Sequence, residues 1–212
     1  MTTVLVLGAN GKIAKLAEDR FFADGDLKVK LFLRNASRLD SANTKDAEII
    51  EGDVTDESTL AAAVIGVDVV YANLAGGNIE DQAKAVVQAL DAQNVKRLIW
   101  ISTLGIYDEV PGKFGEWNNK TLGSYITNYA AAAKVLEDSD LDYTIIRPAW
   151  LTNHDEVAYE TTQRDDTFKG TEVSRKSVAD FVYKLVKSPT QEVRHSVGLN
   201  KPNTDGDKPA WY

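Results

Sequence analysis

Short apolar runs alternate with helical patterns along this chain, and this alternation constrains its fold more than any other feature. Residues 4–7 form a continuous apolar run, as expected of a strand that is buried on both faces. In the next segment, 11–22, apolar side chains recur at helical spacing: Ile13, Leu16, Ala17 and Phe21. Because strands that alternate with helices are typical of βαβ units, the sequence predicts an α/β fold with a doubly wound parallel sheet of the Rossmann type.

The same alternation continues towards the C-terminus. We predict strands at 4–7, 29–33, 47–51, 67–74, 97–102, 143–147 and 193–199, the last of which closes the sheet. We predict helices at 11–22, from 56 onwards, and at 79–93, 122–138 and 174–187, followed by a polar tail at 200–212. Since there is no internal repeat and no linker, residues 1–212 are predicted to form a single domain. A long loop at 103–121 and the segment 148–173 follow strands and are predicted to supply the substrate side.

Composition excludes several classes of site and partner. The chain has no cysteine, and its two histidines, His154 and His195, lie far apart, so we expect no disulfide and no metal. A net charge of -8 without a basic run argues against binding to nucleic acid. The N-terminus lacks the pattern of a signal peptide, and no apolar run approaches the ~20 residues of a membrane span. We therefore expect a cytoplasmic protein without a membrane or nucleic-acid partner.

The first strand ends in a glycine loop, Gly8-Ala9-Asn10-Gly11-Lys12-Ile13-Ala14. Glycines in such a loop allow a tight turn and let the backbone approach a pyrophosphate, which meets the positive end of the following helix. Two glycines at this spacing can also serve only a turn, but these lie between a strand and a helix. We therefore predict that this loop binds a dinucleotide, through these residues: Gly8, Asn10, Gly11, Lys12 and Ile13.

The end of the second strand predicts which dinucleotide is bound. NAD-binding folds usually place an Asp or Glu there, which accepts hydrogen bonds from the ribose 2′-hydroxyl. This chain has Arg34 instead, and Arg38 lies one helical turn further on. Because a guanidinium fits a phosphate, the pair predicts NADPH rather than NADH, unless both are solvated surface arginines. Four later residues are predicted to contact the rest of the cofactor: Asp53 and Val54 at the adenine, Leu74 and Ala75 at the ribose and nicotinamide.

Several segments together resemble a known family. They are Gly8-Ala9-Asn10-Gly11, Leu33-Arg34-Asn35-Ala36-Ser37-Arg38-Leu39, Glu51-Gly52-Asp53-Val54, Ile101-Ser102-Thr103, Lys134-Val135-Leu136-Glu137 and Asp142-Tyr143-Thr144-Ile145-Ile146-Arg147-Pro148. The chain resembles the atypical short-chain dehydrogenases/reductases, and within them the NAD(P)H-binding, NmrA-like branch, which includes the biliverdin reductase B (flavin reductase) group. The resemblance covers about residues 1–199. It implies NAD(P)H binding and a small-molecule substrate, but fold analogy alone does not identify that substrate.

The resemblance also implies a catalytic arrangement, which this sequence matches only in part. In extended short-chain dehydrogenases a Ser or Thr follows the fifth strand, and a Tyr lies four residues before a Lys on the next helix. Ser102, Thr103 and Lys134 match those positions and are predicted to border the site of hydride transfer, where the family lysine also holds the nicotinamide ribose of the cofactor. Ala130, however, stands where the Tyr is expected. Tyr129 lies five residues before Lys134, which places it roughly 140° away on a regular helix. Tyr129 is therefore a doubtful proton donor.

The doubtful acid favours one kind of chemistry over another. Reduction of a simple ketone needs a positioned acid, whereas a flavin or quinone delocalises the incoming charge and can take its proton from solvent. We therefore predict an NADPH-dependent oxidoreductase that acts on a flat, conjugated acceptor. The same feature equally favours an NADP(H)-sensing, NmrA-like regulatory protein without turnover. A sugar-nucleotide epimerase or dehydratase is a weaker alternative, because those enzymes generally keep the Tyr–Lys couple.

Some residues allow two interpretations from the sequence alone. Aromatic residues of the substrate-side segments could stack on a flat substrate or pack onto the body of the protein: Tyr107, Phe114, Trp117 and Trp150. His154 is either an acid near the substrate or an exposed loop residue, and His195 is expected to be structural. The alanine run 130–133 suggests close helix packing, within a monomer or across a homodimer.

Overall fold

Ten strands and six α-helices form the part of the chain that the computed structural model describes, residues 1–39, 44 and 47–212. The strands are β1 (Thr2–Leu7), β2 (Leu27–Leu33), β3 (Glu48–Glu51), β4 (Val69–Ala72), β5 (Arg97–Ile101), β6 (Asp142–Pro148), β7 (Trp150–Thr152), β8 (Glu160–Thr162), β9 (Glu172–Ser174) and β10 (His195–Asn200). The helices are α1 (Lys12–Ala23), α2 (Glu57–Val64), α3 (Ile79–Ala92), α4 (Gly112–Leu122), α5 (Ser124–Glu137) and α6 (Arg175–Lys187).

The order of the strands defines where a ligand can bind. Eight of the described strands form one sheet, in the order β3-β2-β1-β4-β5-β6-β10-β8. Neighbouring strands of this sheet pair in parallel, except that β8 is antiparallel to β10. The chain moves outward from β1 to β3 and then restarts on the other side of β1 with β4, so the switch point lies between β1 and β4. This order confirms the predicted Rossmann-type α/β fold, in which ligands bind at the carboxyl ends of those two strands.

Helices cover both faces of the sheet. On one face α1 packs beside α6, and on the other α3 packs between α2 and α5. Of the predicted apolar stripe of α1, Ile13, Ala17 and Phe21 are buried and Leu16 is partly buried. The Phe21 ring meets the Tyr71 ring edge-on, with 6.4 Å between centroids. This arrangement, with an apolar face against the sheet and a polar face towards solvent, is expected of amphipathic helices that cover a parallel sheet. Within the described ranges, no helix is both long and apolar enough to span a membrane.

A carboxylic acid is buried in the layer between α1 and the sheet. Glu18 is 4% exposed, and its Oε1 atom has no hydrogen-bond partner among the described residues. Burial, and secondarily the charge of Asp19, raise the pKa of Glu18 from 4.5 to about 8, although Lys15 acts in the opposite direction. Burial and then the charge of Glu18 also raise the pKa of the enclosed Tyr71. Glu18 is therefore largely protonated in the folded protein at neutral pH.

The region after β5 differs from the prediction. The segment 103–121, predicted as a loop, contains α4, which begins after Pro111 and buries Phe114, Gly115 and Asn118. Glycines and asparagines have low helix propensity and hid this helix in the sequence. Gly115 is required there, because a Cβ atom at this position would lie 2.0 Å from the carbonyl oxygen of Val110.

The segment 148–173 and the end of the sheet also differ from the prediction. β7 and β9 pair in parallel as a separate two-stranded sheet. The three-residue strand β8 pairs with β10 and extends the main sheet beyond it. The prediction that the last strand closes the sheet is therefore wrong. The two edges of the main sheet are instead the short strands β3 and β8.

Candidate functional site

Two adjoining clefts open at the carboxyl ends of β1, β4 and β5. The first has a volume of about 280 Å³. It brings together nine residues predicted to contact the cofactor: Gly8, Asn10, Gly11, Arg34, Arg38, Asp53, Val54, Leu74 and Ala75. The second has a volume of about 490 Å³ and shares part of its wall with the first, namely Gly11, Asn73, Leu74 and Ala75. The two clefts are thus continuous across the switch point of the sheet.

The glycine loop between β1 and α1 is shaped by its contact with β4. Gly8 has φ +77, and a Cβ atom there would lie 2.4 Å from the carbonyl oxygen of Asn73. At Gly11, whose φ is an ordinary -68, a Cβ atom would lie 1.9 Å from Asn73 Nδ2. Glycine is therefore required at position 8 for both its backbone conformation and the lack of a side chain, but at position 11 only for the lack of a side chain. Because these two positions carry no side chain, the loop can lie close to Asn73 at the end of β4.

The N-terminal end of α1 offers free hydrogen-bonding groups to the first cleft. No side chain caps the helix, and its first turn carries no acidic residue. Asn10 lines the cleft, and its Oδ1 atom is buried without a hydrogen-bond partner in the described part of the chain. Uncapped backbone N–H groups and the helix dipole together favour an anion, and an orphaned buried oxygen is costly without a ligand. These features fit the pyrophosphate and ribose of a dinucleotide.

Two other predicted residues of this loop lie differently from expectation. Ile13 is buried and lines the second cleft rather than the first. The Lys12 side chain is exposed and belongs to neither cleft wall. As the first residue of α1, Lys12 presents its backbone N–H at the helix terminus, so the structure does not support a direct role for its ammonium group.

Arg34 and Arg38 lie together on the wall of the first cleft. The turn between them is fixed at both ends. Asn35 Oδ1 accepts a hydrogen bond from the Ser37 N–H, and Glu51 accepts one of 2.7 Å from the Ala36 N–H. Neither arginine forms a salt bridge with another described residue. Two exposed guanidinium groups therefore lie beside the cleft without a salt bridge to a described carboxylate.

Asp53 lies on the same wall, after β3. Its carboxylate accepts hydrogen bonds from the N–H and the hydroxyl of Thr55, at 2.9 and 2.7 Å. These two bonds, and to a lesser extent the charge of Arg34, lower the pKa of Asp53. Asp53 is therefore an ionised acceptor with a fixed orientation, next to the side chain of Val54.

The second cleft has an aromatic wall and a polar floor. Ser102 and Thr103 follow β5 as predicted and lie at the floor, where the buried Ser102 Oγ has no hydrogen-bond partner among the described residues. The aromatic wall comes from three separate parts of the chain: Tyr125 and Tyr129 on α5, Trp150 on β7, and Trp211 near the C-terminus. A flat ring system fits between such side chains, and the Ser102 hydroxyl is available to a polar atom of a ligand.

The Tyr–Lys couple of the short-chain dehydrogenases is not assembled here. Tyr129 lines the second cleft, where its ring stacks on Tyr125 at 4.2 Å and its hydroxyl donates a 3.4 Å hydrogen bond to the Leu74 carbonyl. Lys134 lies elsewhere: its Nζ is bonded to both carboxylate oxygens of Asp138, and its side chain is 74% exposed. The prediction that Lys134 borders the transfer site is therefore wrong. α5 is a continuous α-helix from Ser124 to Glu137, and its register turns Lys134 to the surface.

The environment of Tyr129 also weakens it as an acid. Burial, and then the neighbouring Tyr125 hydroxyl, raise the pKa of Tyr129 well above its ordinary value of 10. Burial likewise raises the pKa of Tyr125. A cationic lysine beside the phenol would have the opposite effect, and Lys134 is not there to supply it. Both hydroxyls can therefore position a ligand, but neither is poised to donate a proton.

The remaining aromatic residues after β5 pack the region onto the body of the protein. The Tyr107 hydroxyl donates to Glu137 at 2.6 Å, and the Arg164 guanidinium lies over its ring. Phe114 stacks on Trp117, which in turn contacts Trp150 with 4.7 Å between centroids. Of the four aromatic residues with two interpretations, only Trp150 lines a cleft.

The two histidines and the alanine run 130–133 lie outside both clefts. His154 is 61% exposed, faces Glu156 and lines neither cleft. His195 begins β10 and contacts Glu192 at 2.7 Å. Ala132 and Ala133 are fully buried where α5 packs against α3, so these two residues of the run pack within the chain.

Sequence reasoning missed several residues of the two clefts, four of which bear on the chemistry of the site. Asn73 follows β4 directly, and its place at the carboxyl edge of the sheet was a usable signal. Tyr125, Arg175 and Trp211 reach the second cleft from distant parts of the chain. Nothing local in the sequence distinguishes these three from surface residues.

The strand order and the glycine loop facing the switch point define a Rossmann-fold dinucleotide-binding protein with an oxidoreductase fold. The sequence profile of the NAD(P)H-binding family matches residues 8–189. The chain belongs to this NAD(P)H-binding family, within the atypical short-chain dehydrogenases/reductases.

Three known proteins illustrate this relationship. A Rossmann-fold NAD(P)-binding family protein from Shigella flexneri is 39% identical, with a TM-score of 0.87 over 99% of this chain and 98% of that one. A short-chain dehydrogenase/reductase from Veillonella parvula, solved in complex with NADP, is 28% identical, with a TM-score of 0.93 over 99% of each chain. The uncharacterized sugar epimerase YhfK of Bacillus subtilis is 26% identical over 97% of this chain and 95% of its own length.

Proposed function

We propose that this chain is an NADPH-dependent oxidoreductase that reduces a flat, conjugated acceptor, such as a flavin or a quinone, by hydride transfer. The second cleft carries this proposal. Its floor has the hydroxyls of Ser102 and Thr103 and its wall is aromatic. Lys134 does not line this cleft, and its ammonium group is bonded to Asp138 rather than to a tyrosine. This combination favours an acceptor that needs no positioned proton donor.

The first cleft supports NADPH as the cofactor. Arg34 and Arg38 are free to bind a 2′-phosphate, for which a guanidinium provides charge and paired donors. The N-terminal end of α1 would hold the pyrophosphate, with Gly8 and Gly11 allowing its close approach. The remaining contacts follow the clefts from one end to the other: Asp53 and Val54 at the adenine, then Asn10, Leu74 and Ala75 towards the nicotinamide.

In this reaction the protein would position the acceptor and stabilise its developing negative charge, but it would not supply a general acid. When bound, NADPH supplies the hydride, which adds two electrons and one proton to the acceptor. The Ser102 hydroxyl would donate a hydrogen bond to the acceptor atom where negative charge develops, because it has no partner among the described residues. The conjugated system spreads that charge, and the second proton comes from water. Tyr125 and Trp150 hold the plane of the acceptor.

A second function is favoured by one of the same observations. Because Lys134 is engaged with Asp138, a protein that binds NADP(H) and reports its redox state to a partner would also fit the site. Epimerase or dehydratase chemistry, suggested by the name of YhfK, is less favoured, since the Tyr–Lys couple is not formed. We also infer that the protein works in the cytoplasm as one domain, on a small molecule rather than on nucleic acid, in line with its net charge of -8.

Turnover tests these alternatives directly. Purified protein is incubated with NADPH and one acceptor at a time: FMN, riboflavin, a naphthoquinone, an aliphatic ketone or a UDP-sugar. We expect oxidation of NADPH with a flavin or the quinone and little with the ketone. Tight NADPH binding without oxidation by any acceptor would favour the sensing protein. Rapid reduction of the ketone, or conversion of the UDP-sugar without net oxidation, would contradict the proposed function.

A further inference from the structure

The second cleft contains a cation that the proposed chemistry does not use. Arg175 is the first residue of α6, directly after the cap residue Ser174, and it lines the cleft together with Ser102 and Thr103. It is the only Lys or Arg among the described residues that line this cleft. A single positive charge in a largely aromatic and aliphatic cleft is a candidate determinant of specificity.

The hydrogen bonds of Arg175 leave one edge of its guanidinium unused. Its Nη1 donates to the Leu151 carbonyl at 3.3 Å and to Asn153 Oδ1 at 2.8 Å. Both acceptors are neutral and fix the plane of the group. Nε and Nη2 have no partner among the described residues. These two nitrogens form the fork that binds both oxygens of a carboxylate.

No acidic side chain in the described structure neutralises Arg175. The nearby acids are committed to other cations: Asp155 pairs with Lys176, Glu156 with Lys201, and Asp180 with Lys184. Burial lowers the pKa of Arg175, and no neighbouring acid opposes this effect. A partly buried charge without a counter-ion is unfavourable, so an anionic ligand would relieve a cost that the free protein bears.

We propose that Arg175 binds a carboxylate of the acceptor. The substrate is then a planar, conjugated ring system that bears a carboxylate group, rather than a neutral quinone or flavin. This inference rests on the proposed function. The ring system would lie against Trp150 and Trp211, and the acid group would meet the Nε–Nη2 edge of Arg175. Arg175 would thus select the acceptor and fix its orientation, while Ser102 remains at the reacting end.

Matched acceptors test this assignment. Wild type, Arg175→Gln and Arg175→Lys are assayed with NADPH and either anthraquinone-2-carboxylate or its methyl ester. A hydrogen bond between charged groups changes binding affinity by about 10- to 100-fold. We therefore expect wild type to show a kcat/KM for the acid that exceeds its kcat/KM for the ester by that factor. Arg175→Gln should lose this preference, mainly through KM, and reduce the ester within about threefold of wild type. Arg175→Lys keeps the charge but not the fork and should fall between them.

Two controls separate a carboxylate site from a cofactor contact and from a structural role. Arg164→Gln removes an arginine that pairs with Glu137 outside both clefts, and should leave the preference unchanged. NADPH affinity of Arg175→Gln should equal that of wild type. A loss of NADPH affinity would reassign Arg175 to the cofactor, and an equal loss with acid and ester would indicate a structural role. Either result overturns the proposal.

A binding readout distinguishes failure of the carboxylate site from failure of the proposed function. Trp150 and Trp211 line the cleft, so anthraquinone-2-carboxylate should quench tryptophan fluorescence of NADP-saturated protein. Arg175-dependent quenching without turnover would support the carboxylate site and refute the reductase function. The absence of Arg175-dependent quenching would refute the site. If Arg175→Gln instead abolishes only a preference for FMN over riboflavin, the bound anion is a phosphate and the carboxylate assignment is wrong.

Discussion

Replacement of Glu18 by Gln should make the protein markedly less sensitive to alkaline pH. Glu18 is buried on α1, and its pKa is raised from 4.5 to about 8. Between these two values the folded protein holds a proton that the unfolded chain has released. The free energy of unfolding contributed by this group is therefore fully present below about pH 4.5 and is lost as the pH rises to about 8.

The size of the effect follows from the same two values. One pKa unit corresponds to about 1.4 kcal/mol, so the step from 4.5 to about 8 sets an upper bound of about 5 kcal/mol. Glutamine is neutral at every pH and resembles the protonated acid in shape. We therefore expect Glu18→Gln to match wild type within about 1 kcal/mol near pH 4.5, and to exceed its stability by on the order of 2–5 kcal/mol near pH 9.

Urea denaturation of both proteins across this pH range measures the difference directly. Other titrating groups cancel in the comparison, because the two chains differ at one position. Glu116→Gln is the matched control: Glu116 is exposed on α4, and its replacement should change the free energy of unfolding by no more than about 0.5 kcal/mol. If the difference in unfolding free energy between Glu18→Gln and wild type did not change with pH, the argument that the buried Glu18 carboxylate destabilises the folded protein at high pH would be refuted.

Three further predictions concern the clefts. Arg34→Asp should weaken NADPH binding by about 1.5–3 kcal/mol and leave NADH binding nearly unchanged, as measured by calorimetry; equal affinity of wild type for both cofactors would contradict the assignment. Gly11→Val should abolish cofactor binding while circular dichroism still reports a folded domain, because even a Cβ atom would lie 1.9 Å from Asn73 Nδ2; unaltered affinity would place the phosphate site elsewhere. Tyr129→Phe should retain turnover within a few-fold, since the hydrogen bond from its hydroxyl to the Leu74 carbonyl is 3.4 Å long and its pKa is raised; a fall of about 10² to 10⁴ would restore Tyr129 as the general acid.

The parts of the fold that sequence predicted are those encoded by local pattern. The first strand, the glycine loop and the helix after it follow one another directly, so their spacing alone places the cofactor end of the site. Arg34 and Asp53 were predicted from local pattern too, because each closely follows a strand of the parallel sheet, at the carboxyl edge where ligands bind.

The parts that sequence did not predict depend on distant contacts. Helix α4 contains Gly112 and Gly115, two residues of low helix propensity, and Gly115 packs against the Val110 carbonyl. Lys134 matched a family position, but the register of α5 turns it towards Asp138. Arg175 reaches the second cleft only because β7 and α6, which are separated in sequence, meet there.

The two short edges of the main sheet restrict how copies of this chain can associate. Edge β3 reads Glu48-Ile49-Ile50-Glu51, with a charged residue at each end and both glutamates exposed. Were two copies to pair through this edge in antiparallel register, each Glu48 would face Glu51 of the other copy, and like charges directly opposite one another are destabilising. Parallel pairing in register would set Glu48 against its own counterpart. The other edge, β8, offers only three residues. Continuous growth of the sheet from chain to chain is therefore opposed at both of its edges.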